Sequence, residues 1–582
     1  MLDRLRPLAP YLRRYWKSLA WGCVALVLYN TLKAMVPIVV GHAVDDLKHN
    51  ITQQKIIFHA LRLLGLAAAS AVFLFITRQV IIGVSREIEF DLRNDLFATL
   101  EKQSAAYYQA NRTGDIMART TNDLSAVRQL LGPAIMYSLN TVFFTLAALP
   151  LMIRISPHLT LYAFVPLPIA SVIVQQFGAR IHRRFERIQA MFSDISAHAQ
   201  ENFSGARLIR AFAQEEAEIA RFETANQEYI ARSLHLVRLM AMLWPTLEFV
   251  LGLSLMITLL VGGHEVVLHH ISVGQFAEFM VYMVQLTWPM IAIGWVVNLF
   301  QRGTASVIRI QEILTAQPDI TSAQAAANAN ETLAGDIEFR NLSFAYPTGP
   351  TVLHDINLTV PAGTSLAIVG PTGSGKSTLV SLIPRLYDAP ADTVLIDGEP
   401  IRQFPLETLR TNIGVVPQET FLFSDTIAHN VSFGEPEATG QQIEDAAGIA
   451  HIRTEILEFP KGFQTLVGER GVTLSGGQKQ RTAIARAVIR NPRILILDDA
   501  LASVDTYTEE QILTGLRTVM QGRTTIFISH RVSTARNADQ IAVLVEGRIA
   551  ELGTHDELIN RGGYYTKLYQ KQQLEEELAV AQ

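Results

Sequence analysis

The sequence predicts two kinds of structure in one chain, an α-helical domain that crosses a membrane six times and an α/β domain that follows it. Hydrophobic residues make up 49% of the 582 residues and charged residues only 18%, a share below that of ordinary soluble domains. Long apolar runs fill the first half, and short β-branched runs bounded by Gly or Pro fill the second. A chain of this length is expected to form about two to four domains.

Charge and cysteine content exclude some classes of protein. The net charge of -5 is small for this length, so we expect no nucleic-acid partner. Cys23 is the only cysteine, which excludes an internal disulfide framework, and its apolar surroundings favour a packed thiol.

Composition changes along the chain suggest four segments. Residues 2–17 mix Leu and Trp with Arg and Lys, which is typical of an amphipathic segment on a membrane surface, with a solvated helix start as the alternative. Residues 317–334 are rich in Ala, Asn, Thr and Ser and predict a linker. We assign an N-terminal elbow to 1–18, a transmembrane domain to 19–315, a linker to 316–334 and the α/β domain to 335–575.

Six apolar runs are each long enough, at about 20 residues, to cross a hydrocarbon core of roughly 30 Å. They cover residues 19–40, 56–83, 131–153, 159–177, 242–261 and 273–297. The connections 84–130 and 179–241 are rich in Arg, whereas 262–272 has neither Lys nor Arg. The positive-inside rule therefore places the two long connections and both termini in the cytoplasm. We expect a multi-pass protein of a bacterial inner membrane.

Two short breaks interrupt these otherwise helix-forming connections. One lies at 111–115 and the other at 203–206, where a helix could turn and present a short element to another domain. A plain helical hairpin without a partner is the alternative.

Ionisable side chains within the spans are costly, on the order of 2.5 to 3.5 kcal/mol each at mid-bilayer. Lys33, Arg78, Glu248 and Glu278 are of this kind. They could line an aqueous cavity that binds cargo, or, for Arg78 and Glu248, reach the membrane surface with long side chains.

The second half alternates short strands with helical stretches, which predicts an α/β domain. The predicted strands are 337–339, 366–369, 413–416, 494–497, 525–528 and 541–545.

A glycine-rich loop follows the strand 366–369 and matches the pattern G-x-x-x-x-G-K-[ST] at every defined position. Its residues, with the first of the helix that follows, are Gly370, Pro371, Thr372, Gly373, Ser374, Gly375, Lys376, Ser377 and Thr378. Glycines let backbone N–H groups wrap a phosphate chain at the positive end of a helix. Lys376 would reach the terminal phosphates, and the Ser377 hydroxyl would hold Mg²⁺. We therefore predict a nucleotide site, with a plain Gly-rich turn as the alternative.

Further residues stand where nucleotide hydrolysis needs them. Asp498 ends an apolar strand and could hold Mg²⁺ through water, and Asp499 could polarise the attacking water. Tyr346 could stack on a purine, and His530 could reach a γ-phosphate from the end of its strand, although either alone is more often a packing residue.

The stretch 474–478 opens a predicted helix that runs to residue 489. It comprises Leu474, Ser475, Gly476, Gly477 and Gln478. Its N–H donors would lie at the positive end of that helix, as in the phosphate loop.

This stretch resembles the signature motif of ATP-binding cassette (ABC) transporters, and with the six spans the chain resembles half-transporter exporters over essentially its whole length. The resemblance implies that Tyr346 stacks on adenine, that the glycine-rich loop binds ATP phosphates and that Asp498 holds Mg²⁺. The resemblance also implies that Gln418 contacts Mg²⁺ and the membrane domain. Asp505 would be the interface aspartate and His530 the switch histidine.

The same resemblance implies a dimer. In this family one subunit's phosphate loop and the other's signature motif enclose ATP, and the breaks near Gly114 and Gly205 match coupling elements, the second of which docks on the other subunit's ATPase domain.

Two positions depart from the family pattern. The family usually has Glu after the magnesium aspartate, where this chain has Asp499, one methylene shorter. It commonly has Glu where Leu466 stands, in a loop that contacts the coupling elements. A weak base beside an intact signature motif resembles the degenerate-site member of a heterodimer, with a homodimer of two slow sites as the alternative.

The predicted function is ATP-driven export of amphipathic small molecules, lipids or peptides by alternating access. Two alternatives are a cassette ATPase that acts on nucleic acid, which the six spans disfavour, and an assembly whose ATPase gates a channel or sensor. The sequence does not identify the cargo.

Overall fold

The structure is a computed structural model that describes residues 2–49, 52–322, 333–347, 349–468, 471, 474–502, 504, 506–529 and 531–580. The chain divides into two compact units, Met1–Glu101 with Thr113–Ala316, and Lys102–Arg112 with Gln317–Gln582. Most of the predicted linker, 323–332, lies outside the described residues. The predicted domain limits therefore stay predictions.

Helices occupy nearly all of the first 314 residues. They are α1 Leu2–Leu5, α2 Ala9–Arg14, α3 Trp16–His49, α4 Gln53–Leu100, α5 Ala105–Ala110, α6 Thr113–Ala118, α7 Leu124–Gln129, α8 Ile135–Ile155, α9 Pro157–Phe164, α10 Pro166–Ser204, α11 Ala206–Ala211, α12 Glu215–Val267 and α13 Val273–Leu314, with a 3₁₀ turn at Arg6–Leu8 and π-helical turns at Arg119–Asp123 and Leu130–Ala134.

Five helical segments of the described chain are long and apolar enough to span a membrane. They are Trp16–Lys48, Gln53–Leu100, Thr113–Ile155, Glu215–Val267 and Val273–Leu314. Each contains one predicted span, which confirms five of the six. The fourth predicted span, 159–177, falls on α9 and the start of α10, where several side chains lie outside the description.

Both predicted breaks are present. Asn111 and Arg112 separate α5 from α6, and Gly205 separates α10 from α11. The prediction that the arginine-rich connections continue as helices is also confirmed, because α4, α10 and α12 extend far beyond their apolar runs.

The ionisable residues within the spans fall into two groups. The Lys33 ammonium lies 4.6 Å from the centre of the buried Phe144 ring, and Glu278 is 8% exposed, so both pack within the helical bundle. Arg78 and Glu248 are exposed on their helices.

Close contacts fix the start of α13. The Asp45 carboxylate accepts hydrogen bonds from Ser272 Oγ at 2.5 Å and from the Gly274 N–H at 2.7 Å. A Cβ atom at position 274 would lie 2.1 Å from the carbonyl oxygen of Gly41, so only glycine allows the two backbones to approach this closely.

The second unit contains all ten strands of the described chain. They are β1 Ile337–Ala345, β2 Thr351–Val360, β3 Ser365–Val369, β4 Val394–Ile396, β5 Glu399–Pro400, β6 Ile413–Val416, β7 Ile494–Asp498, β8 Thr524–Ile528, β9 Gln540–Val545 and β10 Arg548–Gly553. Besides α5, its helices are α14 Lys376–Ser381, α15 Leu406–Thr411, α16 Ile427–Ser432, α17 Gly440–Ile449, α18 Arg453–Glu458, α19 Gly476–Val488, α20 Thr506–Met520, α21 Val532–Ala535, α22 His555–Arg561 and α23 Tyr564–Val580, with 3₁₀ turns at Ile401–Gln403 and Gly462–Gln464.

The strands form two sheets. An antiparallel sheet has the order β2-β1-β4-β5, and a larger sheet has the order β10-β9-β3-β8-β7-β6. Strands β9, β3, β8, β7 and β6 run parallel, and β10 pairs antiparallel with β9. All six predicted strands are confirmed, whereas β2, β4, β5 and β10 were not predicted. Because parallel strands end at one edge, the loops after β3, β6, β7 and β8 meet there.

Alternating side chains of the larger sheet fill two cores. Ala367, Leu495 and Phe527 pack on one face, and Ile368 and Ile496 on the other. Burial on both faces explains why the apolar runs of these strands are continuous.

Candidate functional site

The glycine-rich loop joins the buried end of β3 to α14. Gly370, Gly373 and Gly375 have φ angles of +151°, +81° and +97°, which side chains rarely allow. A Cβ on Gly370 would lie 2.1 Å from the Leu544 carbonyl oxygen, and one on Gly375 would lie 2.8 Å from Leu353 Cδ2. The pattern recognised in the sequence is therefore also a packing requirement.

Lys376 is held inside this loop. Its Nζ donates hydrogen bonds to the carbonyl oxygens of Gly370 at 3.0 Å and Pro371 at 2.9 Å. The side chain is buried, and burial lowers the pKa of the ammonium, an effect that nearby Asp498 and Asp499 oppose. A cation is thus positioned where the loop would hold phosphates.

The loop and the strand ends enclose one cavity of about 300 Å³. Its lining residues are Val352, Thr372, Gly373, Gly375, Lys376, Ser377, Thr378, Gln418, Asp498, Asp499 and Ile528. The structure thus brings together predicted residues from four parts of the second unit, the loop, its helix, the segment after β6 and the end of β7.

Three oxygen-bearing side chains at this cavity fit Mg²⁺. Ser377 Oγ donates a hydrogen bond to Asp498 Oδ1 at 3.1 Å, and Gln418 lines the same space. Hydroxyl, carboxylate and amide oxygens are the hard ligands that Mg²⁺ takes, usually beside phosphate oxygens and water. Asp498 is buried, so its carboxylate is fixed before any cation binds.

Asp499 stands in a restricted backbone conformation. Its φ is +49°, and its N–H donates to the Ile528 carbonyl oxygen at 3.1 Å, which ties it to the end of β8. Aspartate tolerates this left-handed region better than most residues. Because the backbone position is fixed, the reach of the carboxylate depends on the length of the side chain.

Tyr346 lies beside the helix that follows the loop. Its hydroxyl and Thr378 Oγ1 share a hydrogen bond of 3.0 Å. Its ring packs edge-on against Tyr387, with centroids 5.0 Å apart, and against Phe344 at 5.2 Å. The sequence analysis did not single out Tyr387, and no local pattern marks it.

The signature stretch begins α19 as predicted. Ser475 Oγ accepts from the Gln478 N–H at 3.2 Å, and the Ser475 N–H donates to Gln478 Oε1 at 2.9 Å, a reciprocal cap. Within the described chain, Ser475–Gln478 do not line the phosphate-loop cavity.

A buttress that the sequence analysis missed supports this helix start. Arg481 donates to the two Glu455 carboxylate oxygens at 2.6 and 3.0 Å and to the His451 carbonyl oxygen at 2.8 Å. Gln478 Nε2 donates to Glu455 Oε2 at 2.9 Å. Burial raises the pKa of Glu455, but the bonds from Arg481 and Gln478 outweigh it, so the pKa lies below its usual value.

His530 and Asp505 lie outside the described residues. Their neighbourhood is described in part. The buried Glu509 carboxylate accepts from the Arg531 guanidinium and from the Thr534 hydroxyl, and Arg531 also donates to the Val504 carbonyl oxygen at 3.4 Å. A second unpredicted ion pair therefore connects α20 with the segment that follows β8.

Leu466, the other departure from the family pattern, is 63% exposed. It forms a single antiparallel bridge with Thr426, and the Ile427 N–H donates to the carbonyl oxygen of the preceding Thr465 at 3.0 Å. The side chain is thus free to meet another surface, although nothing in the described contacts identifies one.

Comparison with known proteins identifies the family that this fold and site define. A family model for the ABC transporter transmembrane region matches residues 19–290, and a second model, described as ABC transporter, matches residues 353–502. The chain belongs to the ABC transporter family and has the architecture of its exporters, a helical membrane domain followed by the nucleotide-binding domain.

Curated relatives match over nearly their full length. The chain is 36% identical over 577 residues to the probable multidrug resistance ABC transporter ATP-binding/permease protein YheI of Bacillus subtilis, covering 99% of this chain and 98% of that protein. It is 36% identical over 568 residues to the multidrug resistance-like ATP-binding protein MdlA of Escherichia coli, covering 97% and 96%. It is also 36% identical over 574 residues to the ATP-dependent lipid A-core flippase of Syntrophus aciditrophicus, covering 98% and 95%.

A solved structure shares the fold. The ATP-bound structure of a bacterial Atm1-family ABC exporter superposes with a TM-score of 0.79 at 28% identity, covering 96% of this chain and 98% of that one. The protein is therefore a multi-pass membrane protein whose ATPase activity is coupled to transport.

Proposed function

We propose that this chain is one half of a heterodimeric exporter, that its own phosphate loop hydrolyses ATP slowly, and that its signature motif completes the partner's faster site. The observation that carries the proposal is the position of Asp499. It lines the cavity of the phosphate loop, where the family usually has the longer Glu, and its backbone is fixed at φ +49°.

The contribution of a general base to the rate depends on whether its side chain can reach the proton that it accepts. A base must come within about 2.6 to 3.2 Å of the proton that it accepts, and a well-placed one contributes about 10²- to 10⁴-fold. Because the Asp499 N–H is bonded to β8, the backbone is not free to move the shorter side chain forward. We therefore expect ATP to bind at this site and to be hydrolysed slowly.

The signature motif, by contrast, has every residue of the family pattern. The Ser475 cap and the Glu455–Arg481 pair fix the start of α19, where N–H groups can meet phosphate oxygens. Within the described chain, these residues do not line the cavity of the chain's own phosphate loop. The ATP that they contact would therefore be bound by the phosphate loop of a second subunit.

The chemistry that we propose uses ordinary phosphoryl transfer. A water oxygen attacks the γ-phosphorus, the bond to the ADP oxygen breaks, and the water proton passes to Asp499. Lys376 and the loop N–H groups stabilise the charge on the phosphate oxygens. Mg²⁺, when held near Ser377, Gln418 and Asp498, would neutralise further charge.

In the membrane unit we propose a cavity that alternates between the two sides of a bacterial inner membrane, with both termini in the cytoplasm. Amphipathic cargo is favoured by the apolar spans and by the similarity to a probable multidrug resistance ABC transporter and to an ATP-dependent lipid A-core flippase. We propose that Lys33 and Glu278, which pack within the helical bundle, contact cargo or position the helices around it.

Rates of ATP hydrolysis test the heterodimer. The chain would be purified alone and together with the product of a neighbouring transporter gene, each with and without Asp499→Glu. We expect little hydrolysis by the chain alone, about a tenfold increase with Asp499→Glu, and full activity in the pair. Full turnover by the chain alone, unimproved by Asp499→Glu, would contradict the proposal.

Transport itself needs a second measurement. ATP-dependent uptake of an amphipathic dye into inside-out vesicles, combined with stimulation of ATPase activity by that dye, would identify a pump. A dye that stimulates hydrolysis without being accumulated would identify an ATPase that only gates or senses.

A further inference from the structure

Helices α10 and α12 carry a cluster of cations that the export function does not account for. A cavity of about 260 Å³ lies between them and is lined by Arg184, Arg187, Ile188, Arg232 and His235. Ile188 is buried, whereas the three arginines are exposed. The polar part of this lining therefore consists of three guanidinium groups and one imidazole.

The cavity lies near the predicted membrane surface. Arg184 follows the predicted end of the fourth span by about two helical turns, or about 10 Å, and His235 precedes the predicted start of the fifth span by a similar distance. Headgroups extend about 5 to 8 Å beyond the hydrocarbon core, so an arginine side chain can cover the remaining distance.

Few carboxylates balance these cations. Glu186 Oε1 lies 3.1 Å from His182 Nε2, and Glu228 Oε1 lies 2.5 Å from Arg232, both on exposed helix surface. Such exposed pairs are weak. In the described part of the chain the side chain of Arg187 has no hydrogen-bond or ion-pair partner. Further arginines on the same helices add to the positive charge, namely Arg180, Arg183 and Arg238.

We propose that this cavity binds the phosphate group of an anionic phospholipid from the adjacent bilayer leaflet. Planar guanidinium groups match phosphate oxygens, and basic pockets between helices at a membrane surface bind acidic headgroups. Leu234 and Val237, which are 50% and 56% exposed, offer apolar surface beside the cations for the glycerol and acyl carbons. Bound lipid would also reduce the repulsion between arginines of α10 and α12, and so hold the two helices together.

The site can be tested without transport or a partner subunit, so its failure is separate from that of the proposed function. The full chain in neutral detergent would be titrated with short-chain phosphatidylglycerol and, for comparison, with phosphatidylcholine of the same chain length. We expect the double variant R184Q/R187Q to bind phosphatidylglycerol about thirty-fold more weakly and phosphatidylcholine unchanged.

A matched control removes the same charge elsewhere. R207Q/R221Q neutralises two exposed arginines of α11 and α12 that lie farther along the extensions from the predicted spans, and it should leave lipid affinity unchanged. ATP binding on the same samples would verify folding. Should the double variant fail to fold, Arg187→Gln alone, with about a fivefold loss, decides the question.

Two results would overturn the proposal. One is a phosphatidylglycerol affinity that does not distinguish R184Q/R187Q from the control. If neither variant loses affinity, these arginines do not bind the lipid, and if both lose it equally, only overall charge matters. The other is displacement of the lipid by inorganic phosphate at equal concentration, which would indicate a site for a free anion instead of a lipid.

Discussion

The phosphate loop and the signature helix lie on the same chain but are stabilised in different ways. The loop depends on backbone conformations that Gly370, Gly373 and Gly375 adopt and on a lysine bonded to loop carbonyls. The signature helix depends on side chains from elsewhere, since Glu455 is bonded to Arg481 and Gln478. Changes in the loop should therefore affect nucleotide binding directly, whereas changes in the buttress should affect stability and orientation.

The two regions also differ in how closely they follow the family. The signature motif is complete, whereas the phosphate site has Asp499 in place of the usual Glu. In the proposed heterodimer, the region that would bind this chain's own ATP departs from the family pattern, and the region that would contact the partner's ATP does not. Experiments that separate the two regions test this contrast.

The largest effect is expected from Lys376→Ala in an Asp499→Glu background. Removing the cation that we propose to face the phosphates should lower ATP hydrolysis by at least about 100-fold, the usual cost of losing one charge-stabilising group. Steady-state phosphate release measures this. The exposed Lys461→Ala is the control and should leave the rate unchanged. A rate within threefold of the parent would contradict the assigned role.

Asp499→Glu gives the next largest effect, the tenfold gain described above. Asp499→Asn tests the same point, because removing a base that contributes little to catalysis should lower the hydrolysis rate only slightly. We expect less than about a threefold fall in the chain's own slow rate with Asn, compared with the 10²- to 10⁴-fold loss of a well-placed base. A hundredfold fall would show that Asp499 is already an effective base.

Arg481→Met should act on the signature region alone. Losing bonds between charged groups costs about 1.5 to 3 kcal/mol, which corresponds to a fall of roughly 3 to 12 °C in the unfolding midpoint of a domain of this size. The affinity of the chain's own phosphate loop for ATP should stay within twofold of the parent's. Calorimetry measures the unfolding midpoint, and nucleotide titration measures the affinity for ATP. Arg453→Met breaks the exposed pair with Glu444 and should cost less than about 1 kcal/mol.

The same buttress predicts a pH dependence. Because the pKa of Glu455 is lowered in the folded protein, its contribution to stability is present above the ordinary glutamate pKa of about 4.3 and is lost as the pH falls through the lower folded value. The difference between the unfolding midpoints of the parent and Glu455→Gln should therefore stay constant from pH 7 down to about 5 and shrink only as the pH is lowered below about 4.3. Parallel curves would contradict this.

The smallest effect is expected at Tyr346. Tyr346→Phe removes the hydrogen bond to Thr378 and keeps the ring, so stability should fall by about 0.5 to 1.5 kcal/mol and ATP affinity by less than about twofold. Tyr346→Ala also removes the ring, and by comparison with base stacking of about 1 to 3 kcal/mol it should weaken ATP binding by at least fivefold. Equal affinities in the two variants would argue against stacking.

Much of the site was predictable because its signals are local. The loop residues are consecutive, Asp498 directly follows an apolar run, and a reciprocal cap requires only Ser475 and Gln478 at the right spacing. Strand β2 could also have been found, since Leu353, Ile356, Leu358 and Val360 are buried with mostly two-residue spacing. It was missed because His354 and Asp355 interrupt the apolar pattern.

The supporting contacts were not predictable, because the residues that form them are far apart in the sequence. Arg481 and Glu455 are 26 residues apart, and Arg531 and Glu509 are 22 apart. Nothing in their local sequence distinguishes them from the other charged residues of the chain. Only the packing of α18 against the start of α19, and of α20 against the segment after β8, selects these partners.

The sequence by itself determined the order of the two domains, the apolar spans, the phosphate loop and the signature motif, because each depends on residues that are neighbours in the chain. The tertiary structure alone decided which of these come together. Ser377 meets Asp498 across 121 positions because β3 and β7 both pair with β8 in one parallel sheet and end at the same edge. Such contacts depend on strand order, which local patterns do not encode.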